Sequence, residues 1–70
     1  MDFITVLKKI KKGKAYKRDF WKDKCIQYAP SAGQIFDYTT GFSGAKSLHL
    51  YYPDATDLLA DDWRETILIK

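Results

Sequence analysis

The chain has 70 residues, and domains of this size bury only about 60% of the surface that the unfolded chain exposes. Its composition, 46% hydrophobic and 30% charged, is typical of a globular domain and excludes an intrinsically disordered chain. The single cysteine and single histidine exclude an intramolecular disulfide and a His/Cys metal site within one chain. We therefore predict one domain over residues 1–70 without metal or cofactor. Because its core is small, we expect self-association to add to its stability.

The net charge of +3 is divided unevenly along the chain. Residues 1–24 carry nine basic and three acidic side chains, a net charge of +6, whereas residues 25–70 carry three basic and six acidic side chains, a net charge of −3. Such asymmetry favours an anion-binding surface or complementary faces within an assembly. The alternative is a solvated helix face, since exposed lysines are common on helices.

Neither a secretory signal nor a membrane span is recognisable in the sequence. The apolar stretch that begins at Phe3 meets Lys8 and Lys9 at once, which does not fit a signal peptide. The longest charge-free run, residues 25–36, has 12 residues, whereas a spanning helix needs about 18 or more. Because a lone cysteine also suits a reducing compartment, we expect a cytoplasmic protein with no membrane partner.

The first predicted element is an amphipathic helix at the start of the chain. Asp2 is expected to cap its N-terminus and Gly13 to end it in the left-handed conformation. Its apolar residues recur at the i, i+3, i+4 and i+7 spacing of one helix face, and lysines occupy much of the remaining surface. This apolar face is formed by Phe3, Val6, Leu7 and Ile10.

Short β-prone segments follow the helix and are separated by turn residues. Thr56, with Asp57 beside it, is expected to cap a short helical turn ahead of the last strand. The short connections favour hairpins. The sequence therefore predicts an α+β fold, in which an N-terminal α-helix packs on a small antiparallel β-sheet. The predicted strands are residues 14–18, 24–29, 34–39, 47–52 and 63–69.

Catalytic machinery is not recognisable in the sequence. His49 is the only histidine that could act as a base, and it lies within a predicted strand with no orienting acid nearby in sequence. Asp61 and Asp62 are adjacent, so their side chains point in different directions and do not form an acid/base pair. Both common glycine-rich phosphate motifs, GxxxxGK[ST] and GxGxxG, are absent. We predict a binding protein with no catalytic residue.

Aromatic residues carry more functional information. Two Trp, five Tyr and four Phe are more than one helix on one small sheet can bury, so some should line an interface or pocket. Several lie close to lysines and to Arg18, and this combination suits a nucleobase with its phosphates, or single-stranded nucleic acid. The alternative is that Phe20 and Trp21 anchor a loop to the core while the lysines are solvated.

Two segments resemble a known family. The opening helix is followed by Gly13-Lys14-Ala15-Tyr16-Lys17-Arg18 and then Trp21, a G-K-x-hydrophobic-x-R-x-x-W pattern, and residues 57–63 follow the pattern D-L-L-A-x-D-W. Both patterns, over residues 3–22 and 51–64, are similar to those of the second Thoeris anti-defence family of phage proteins. The family resemblance implies a molecular sponge that binds and withholds a bacterial immune signal. That signal would be a cyclic ADP-ribose isomer, such as glycocyclic ADP-ribose, or a cyclic dinucleotide.

The resemblance also implies a homo-oligomer, a dimer or tetramer, with pockets at the subunit contacts. Carried over through the matching motifs, Phe3 and Trp21 would wall the base, Arg18 would bind phosphate, and Asp62 would bind ribose hydroxyls. Residues 29–47 depart from the family because this region is shorter than usual. The shortening would change the nucleotide specificity or remove the pocket.

Two other functions compete with the sponge. A protein–protein inhibitor of a bacterial defence enzyme would use Tyr51, Tyr52 and Phe42 as interface anchors. Nucleic-acid binding by the basic helix ranks third, and it would show an affinity that falls steeply with salt.

Overall fold

A computed structural model describes residues 1–40 and 46–67 of the chain. It confirms the α+β prediction, with an N-terminal helix on an antiparallel sheet and a short helix before the last strand. The elements in chain order are α1 (Phe3–Ile10), β1 (Ala15–Arg18), β2 (Lys24–Ala29), β3 (Gln34–Thr40), β4 (Lys46–Leu50), α2 (Ala55–Leu59) and β5 (Trp63–Thr66).

The five strands form one sheet in the order β4-β3-β2-β1-β5, and each neighbouring pair is antiparallel. Strands β1 to β4 follow one another as hairpins, as their short connections predict. Strand β5 instead returns from the far edge of the sheet to pair with β1, from Ala15 opposite Thr66 to Arg18 opposite Trp63. The opening and closing segments of the chain therefore meet at one sheet edge.

Helix α1 begins where the sequence predicts. The Asp2 side chain accepts a 2.8 Å hydrogen bond from the backbone N–H of Thr5, which confirms it as the N-cap. The helix ends at Ile10 with Lys11 as the C-cap, and Gly13 has a positive φ of 92° two residues beyond that cap. Gly13 thus has the predicted left-handed backbone, but it belongs to the turn into β1.

The core lies between α1 and the sheet, and it is concentrated toward β1 and β5. Trp63 is its central aromatic residue, with ring centroids 5.3 Å from Phe3, 5.2 Å from Trp21 and 6.5 Å from Tyr51. Leu7, predicted on the apolar face, is partly exposed at the rim of this core. The buried core cluster comprises Phe3, Val6, Ile10, Tyr16, Ile26, Tyr51 and Trp63.

Several predicted element ends are wrong. The N-cap of α2 is Asp54, because its Oδ1 accepts hydrogen bonds from Asp57 N at 3.0 Å and from Thr56 Oγ1 at 2.6 Å. Strand β4 ends at Leu50, since the next side chain, Tyr51, turns into the core. Strand β5 ends at Thr66, which pairs with the first residue of β1, and the predicted extension over 68–69 lies outside the described residues.

Candidate functional site

The candidate site lies at the sheet edge where β1 pairs with β5. Arg18 is the last residue of β1 and stands opposite Trp63 in the strand register. Asp57, in α2, and Asp62, immediately before β5, both contact the Arg18 side chain. We call Arg18, Tyr51, Asp57, Asp62 and Trp63 the Arg18 cluster.

Two carboxylates hold the Arg18 guanidinium. Its Nη1 donates to Asp57 Oδ1 at 3.0 Å, while Nε and Nη2 both donate to the carboxylate of Asp62. The Arg18 side chain is only 12% exposed, so these charge-assisted hydrogen bonds replace most of its hydration. The hydrogen bond from Arg18 lowers the pKa of the Asp62 carboxyl below its ordinary value, and Asp62 is therefore ionised at neutral pH.

Asp57 connects this ion pair to the core. Its Oδ2 accepts a 2.8 Å hydrogen bond from the Tyr51 hydroxyl, and its backbone carbonyl accepts a 3.0 Å hydrogen bond from Trp63 Nε1. Burial, followed by the hydrogen bond to Asp57, raises the pKa of Tyr51 well above its ordinary value. Tyr51 therefore remains a protonated donor, and the described part of the chain leaves no buried side-chain nitrogen or oxygen of this site without a partner.

Aromatic side chains of the β1–β2 turn, residues 19–23, lie beside the cluster, and lysines of the two flanking strands lie next to them. Trp21 is half-buried and packs edge-on against Trp63 at an interplanar angle of 81°. The Nζ of Lys24 lies 4.5 Å from the centroid of the Trp21 ring, and the Nζ of Lys17 donates to the Trp21 carbonyl at 2.6 Å. The turn therefore presents a tryptophan with a cation above it.

The structure brings all four predicted ligand-binding residues to one place around Trp63. Phe3 is only 6% exposed and belongs to the core, whereas Trp21 and Asp62 are half-buried and reach the surface. Arg18 joins Asp62 directly, so a phosphate would compete with two carboxylates for the guanidinium. The roles of these residues in ligand binding stay predictions.

The sequence does not predict Phe20, Asp57 or Trp63 as residues of this site, and it names Tyr51 only as an anchor of a different interface. Phe20 is 66% exposed, and the Arg18 guanidinium carbon lies 4.9 Å from the centroid of its ring. Trp21 therefore anchors the turn to the core while Phe20 does not. Asp57 was interpreted as part of a helix cap, although its place as first residue of the D-L-L-A-x-D-W pattern was a signal that groups it with Asp62.

Other residues named from the sequence lie elsewhere. His49 is on β4, at the opposite sheet edge, with its Nδ1 3.7 Å from Asp37 Oδ1, an acid that only the strand register brings near. Of the interface anchors proposed for an inhibitor, Tyr51 is buried and hence unavailable, and Tyr52 is 79% exposed. Phe42 lies outside the described residues.

A family model described as the Thoeris anti-defense 2-like domain matches residues 1–66. The chain belongs to this family. The resemblance seen in two motifs is thereby confirmed, and the match to the Thoeris anti-defense 2-like domain also spans the residues between them, including the short central region.

No curated protein matches the chain at a significant level. Family membership makes the chain a Thoeris anti-defence domain. The single family match covers both of the sequence motifs that supply residues of the Arg18 cluster. Across residues 1–40 and 46–67, no helix is long and apolar enough to cross a membrane.

Proposed function

We propose that this Thoeris anti-defence domain is a sponge for a cyclic nucleotide immune signal. It binds a cyclic ADP-ribose isomer, such as glycocyclic ADP-ribose, or a cyclic dinucleotide, and withholds it without degrading it. The single observation that carries the proposal is the family match over residues 1–66, which includes the motifs that meet at the Arg18 cluster. The site would act in the cytoplasm of the bacterial host.

The surface chemistry of the β1–β2 turn supports this ligand class. Phe20 offers an exposed ring backed by the Arg18 guanidinium, and Trp21 lies next to it with Lys24 above its ring. Stacking on an aromatic ring is worth about 1–3 kcal/mol per base, and nearby cations attract the phosphates. Asp62 has a half-buried carboxylate that could accept hydrogen bonds from ribose hydroxyls.

The protonation states around Arg18 support binding over turnover. Asp62 is a weak base because its hydrogen bond with Arg18 lowers its pKa. Tyr51 stays protonated, and it donates its proton to a hydrogen bond with Asp57. These groups are engaged with one another, so they hold the fold and do not supply a poised general base.

An uncovered sheet face supports the proposed homo-oligomer, a dimer or tetramer. The strand register places Ile26, Tyr28 and Ile35 on the face that α1 covers, and the alternate residues therefore point to the other face. Within the described residues no helix covers that second face, where Leu48 is 53% exposed. A second copy would bury this apolar surface and could complete a composite pocket. The large apolar side chains that β3 and β4 place on this face are Phe36, Tyr38, Leu48 and Leu50.

Binding and recovery of the signal test the sponge directly. The purified protein is incubated with each cyclic nucleotide, affinity is measured by calorimetry, and the ligand is recovered after heat denaturation and identified by chromatography. We expect intact ligand and weaker binding by Phe20→Ala and Trp21→Ala. The control is Tyr52→Ala, which removes an exposed ring elsewhere and should bind normally. A degraded product, or full affinity in both turn variants, would contradict the proposal.

Exposed apolar side chains near α2 favour one second candidate, a protein–protein inhibitor of a bacterial defence enzyme. Leu58, Leu59 and Tyr52 are all exposed and lie within or next to α2. Such an inhibitor would capture one host protein at a defined ratio, and Leu59→Ser would abolish the capture while Trp21→Ala would not. If Trp21→Ala lost the capture and Leu59→Ser kept it, the binding surface would be the β1–β2 turn and not α2.

A further inference from the structure

A groove of about 420 Å³ lies between α1 and the β2–β3 hairpin. It is separate from the β1–β2 turn, and Tyr51 is the one residue that it shares with the Arg18 cluster. Its volume is within the range of about 300–1,000 Å³ that is usual for small-molecule pockets. The groove thus has room for a ring system.

Apolar and aromatic side chains form most of the groove. Ile10 and Leu7 line it from α1, while Tyr28 and Ile35 line it from the sheet, where they stand opposite each other in the β2–β3 register. Ile10 is buried, and Tyr28 and Ile35 pack against the core, so this lining is held in place. Such a surface favours a flat apolar ligand.

One cation lines the groove as well. Lys11 follows the last residue of α1, and within the described residues its ammonium forms no ion pair. Lys8 and Lys12 lie close to it in sequence and add positive charge to this end of the helix. The charge at the groove is therefore complementary to an anion.

Gly33 leaves one wall of the groove open. Its φ of 64° is in the left-handed region, and a Cβ atom built there would meet no atom within 4 Å. A larger side chain at this position would clash with no neighbour and would narrow the groove, although the left-handed backbone strains any residue that has a Cβ atom, asparagine least. This offers a substitution that changes the groove without disturbing the core.

We propose that this groove is a second binding site, for a small aromatic acid. The ring lies against Leu7, Tyr28 and Ile35, and the acidic group reaches the ammonium of Lys11. The apolar lining selects the ring, and the lysine selects an anion over a neutral molecule of the same shape. The site goes beyond the proposed function, because it shares no residue with the β1–β2 turn.

Naphthalene-2-sulfonate is a suitable probe, and amide chemical shifts of the full chain report where it binds. We expect saturable shifts at Lys11, Gly33 and Ile35. Lys11→Gln should weaken binding by about tenfold, which is the effect of losing one charge-assisted contact. The matched control is Lys12→Gln, which removes a neighbouring charge that does not line the groove and should weaken binding much less than Lys11→Gln does.

Two further measurements sharpen the test. Gly33→Asn should weaken the probe by narrowing the groove, and neutral naphthalene-2-sulfonamide should bind the original chain more weakly than the sulfonate does. Equal losses in Lys11→Gln and Lys12→Gln, or shifts confined to the uncovered sheet face around Leu48, would overturn the proposal. Trp21→Ala should bind the probe normally, and Lys11→Gln should bind the cyclic nucleotide normally, so the two sites can fail independently.

Discussion

The hydroxyl of Tyr51 donates a 2.8 Å hydrogen bond to Oδ2 of Asp57, a carboxylate whose other oxygen lies 3.0 Å from Arg18. Tyr51 follows β4, Asp57 belongs to α2, and Arg18 ends β1. One carboxylate therefore joins the helical connection to the edge strand that carries the candidate site. Loss of any of these partners should affect both the stability of the fold and the shape of the site.

Tyr51→Phe should destabilise the protein by about 1–3 kcal/mol, because the substitution leaves an Asp57 oxygen buried without its donor. Urea unfolding followed by circular dichroism measures this change. Tyr52→Phe, which removes a hydroxyl from an exposed ring, is the matched control and should leave the free energy of unfolding unchanged. Equal stability of the two variants would show that the Tyr51–Asp57 contact contributes nothing.

Arg18→Ala should be much more destabilising than Arg64→Ala. Removing Arg18 leaves the Asp57 carboxylate, which is only 12% exposed, without its cation, and breaking such a largely buried pair costs about 3 kcal/mol. The Arg64–Asp19 pair is exposed, and its loss should cost less than about 1 kcal/mol. Thermal unfolding compares the two variants, and Arg18→Lys should fall between them because it keeps the charge but not the bidentate geometry. Similar melting temperatures for both alanine variants would contradict this ranking.

The stability contributed by Asp62 should depend on pH with a defined sign. Arg18 lowers the pKa of folded Asp62, so the unfolded chain binds the proton more tightly. The contribution is complete above the unfolded pKa of about 4 and is lost as the pH falls through the lower folded value. Asp62→Asn resembles the protonated residue, and it should therefore melt below the original chain at neutral pH and approach it in acid.

Melting temperatures across this acidic range test the prediction for Asp62. Asp61→Asn is the matched control, since Asp61 is exposed and its side chain makes no hydrogen bond within the described residues. If the difference in melting temperature between Asp62→Asn and the original chain stayed constant from neutral to acidic pH, the ion pair with Arg18 would not be its source.

Gly33→Ala should destabilise the protein by about 1–2 kcal/mol, because an L-residue is disfavoured at a φ of 64°. The backbone is the cause, since a Cβ atom there would meet no neighbour within 4 Å. Gly33→Asn should cost less, because asparagine adopts the left-handed region more readily. Equal unfolding free energies for the alanine and asparagine variants would assign the effect to something other than φ.

Much of the secondary structure could be predicted because its signals are local. The spacing of Phe3, Val6 and Ile10 specifies one helix face, and Asp2 supplies an oxygen to the first turn. Element ends were less predictable, because they depend on partners. The competition between Asp54 and Thr56 for the α2 cap was decided by which oxygen reaches Asp57 N, and β5 stops where β1 no longer offers a paired residue.

Sequence alone determined the family, since the two motifs that carry the resemblance are runs of neighbouring residues. Only the tertiary structure decided what the motif residues do to one another. Arg18 and Asp62 are 44 residues apart, and they meet because β5 returns to pair with β1. Trp63 is buried beside that strand pair, and Trp21 and Phe3 pack against it. Tyr51, and not Tyr52, points into the core, where its hydroxyl donates a hydrogen bond to Asp57. Hydrogen bonds between distant strands and the packing of one aromatic residue are non-local, and no pattern of neighbouring residues specifies them.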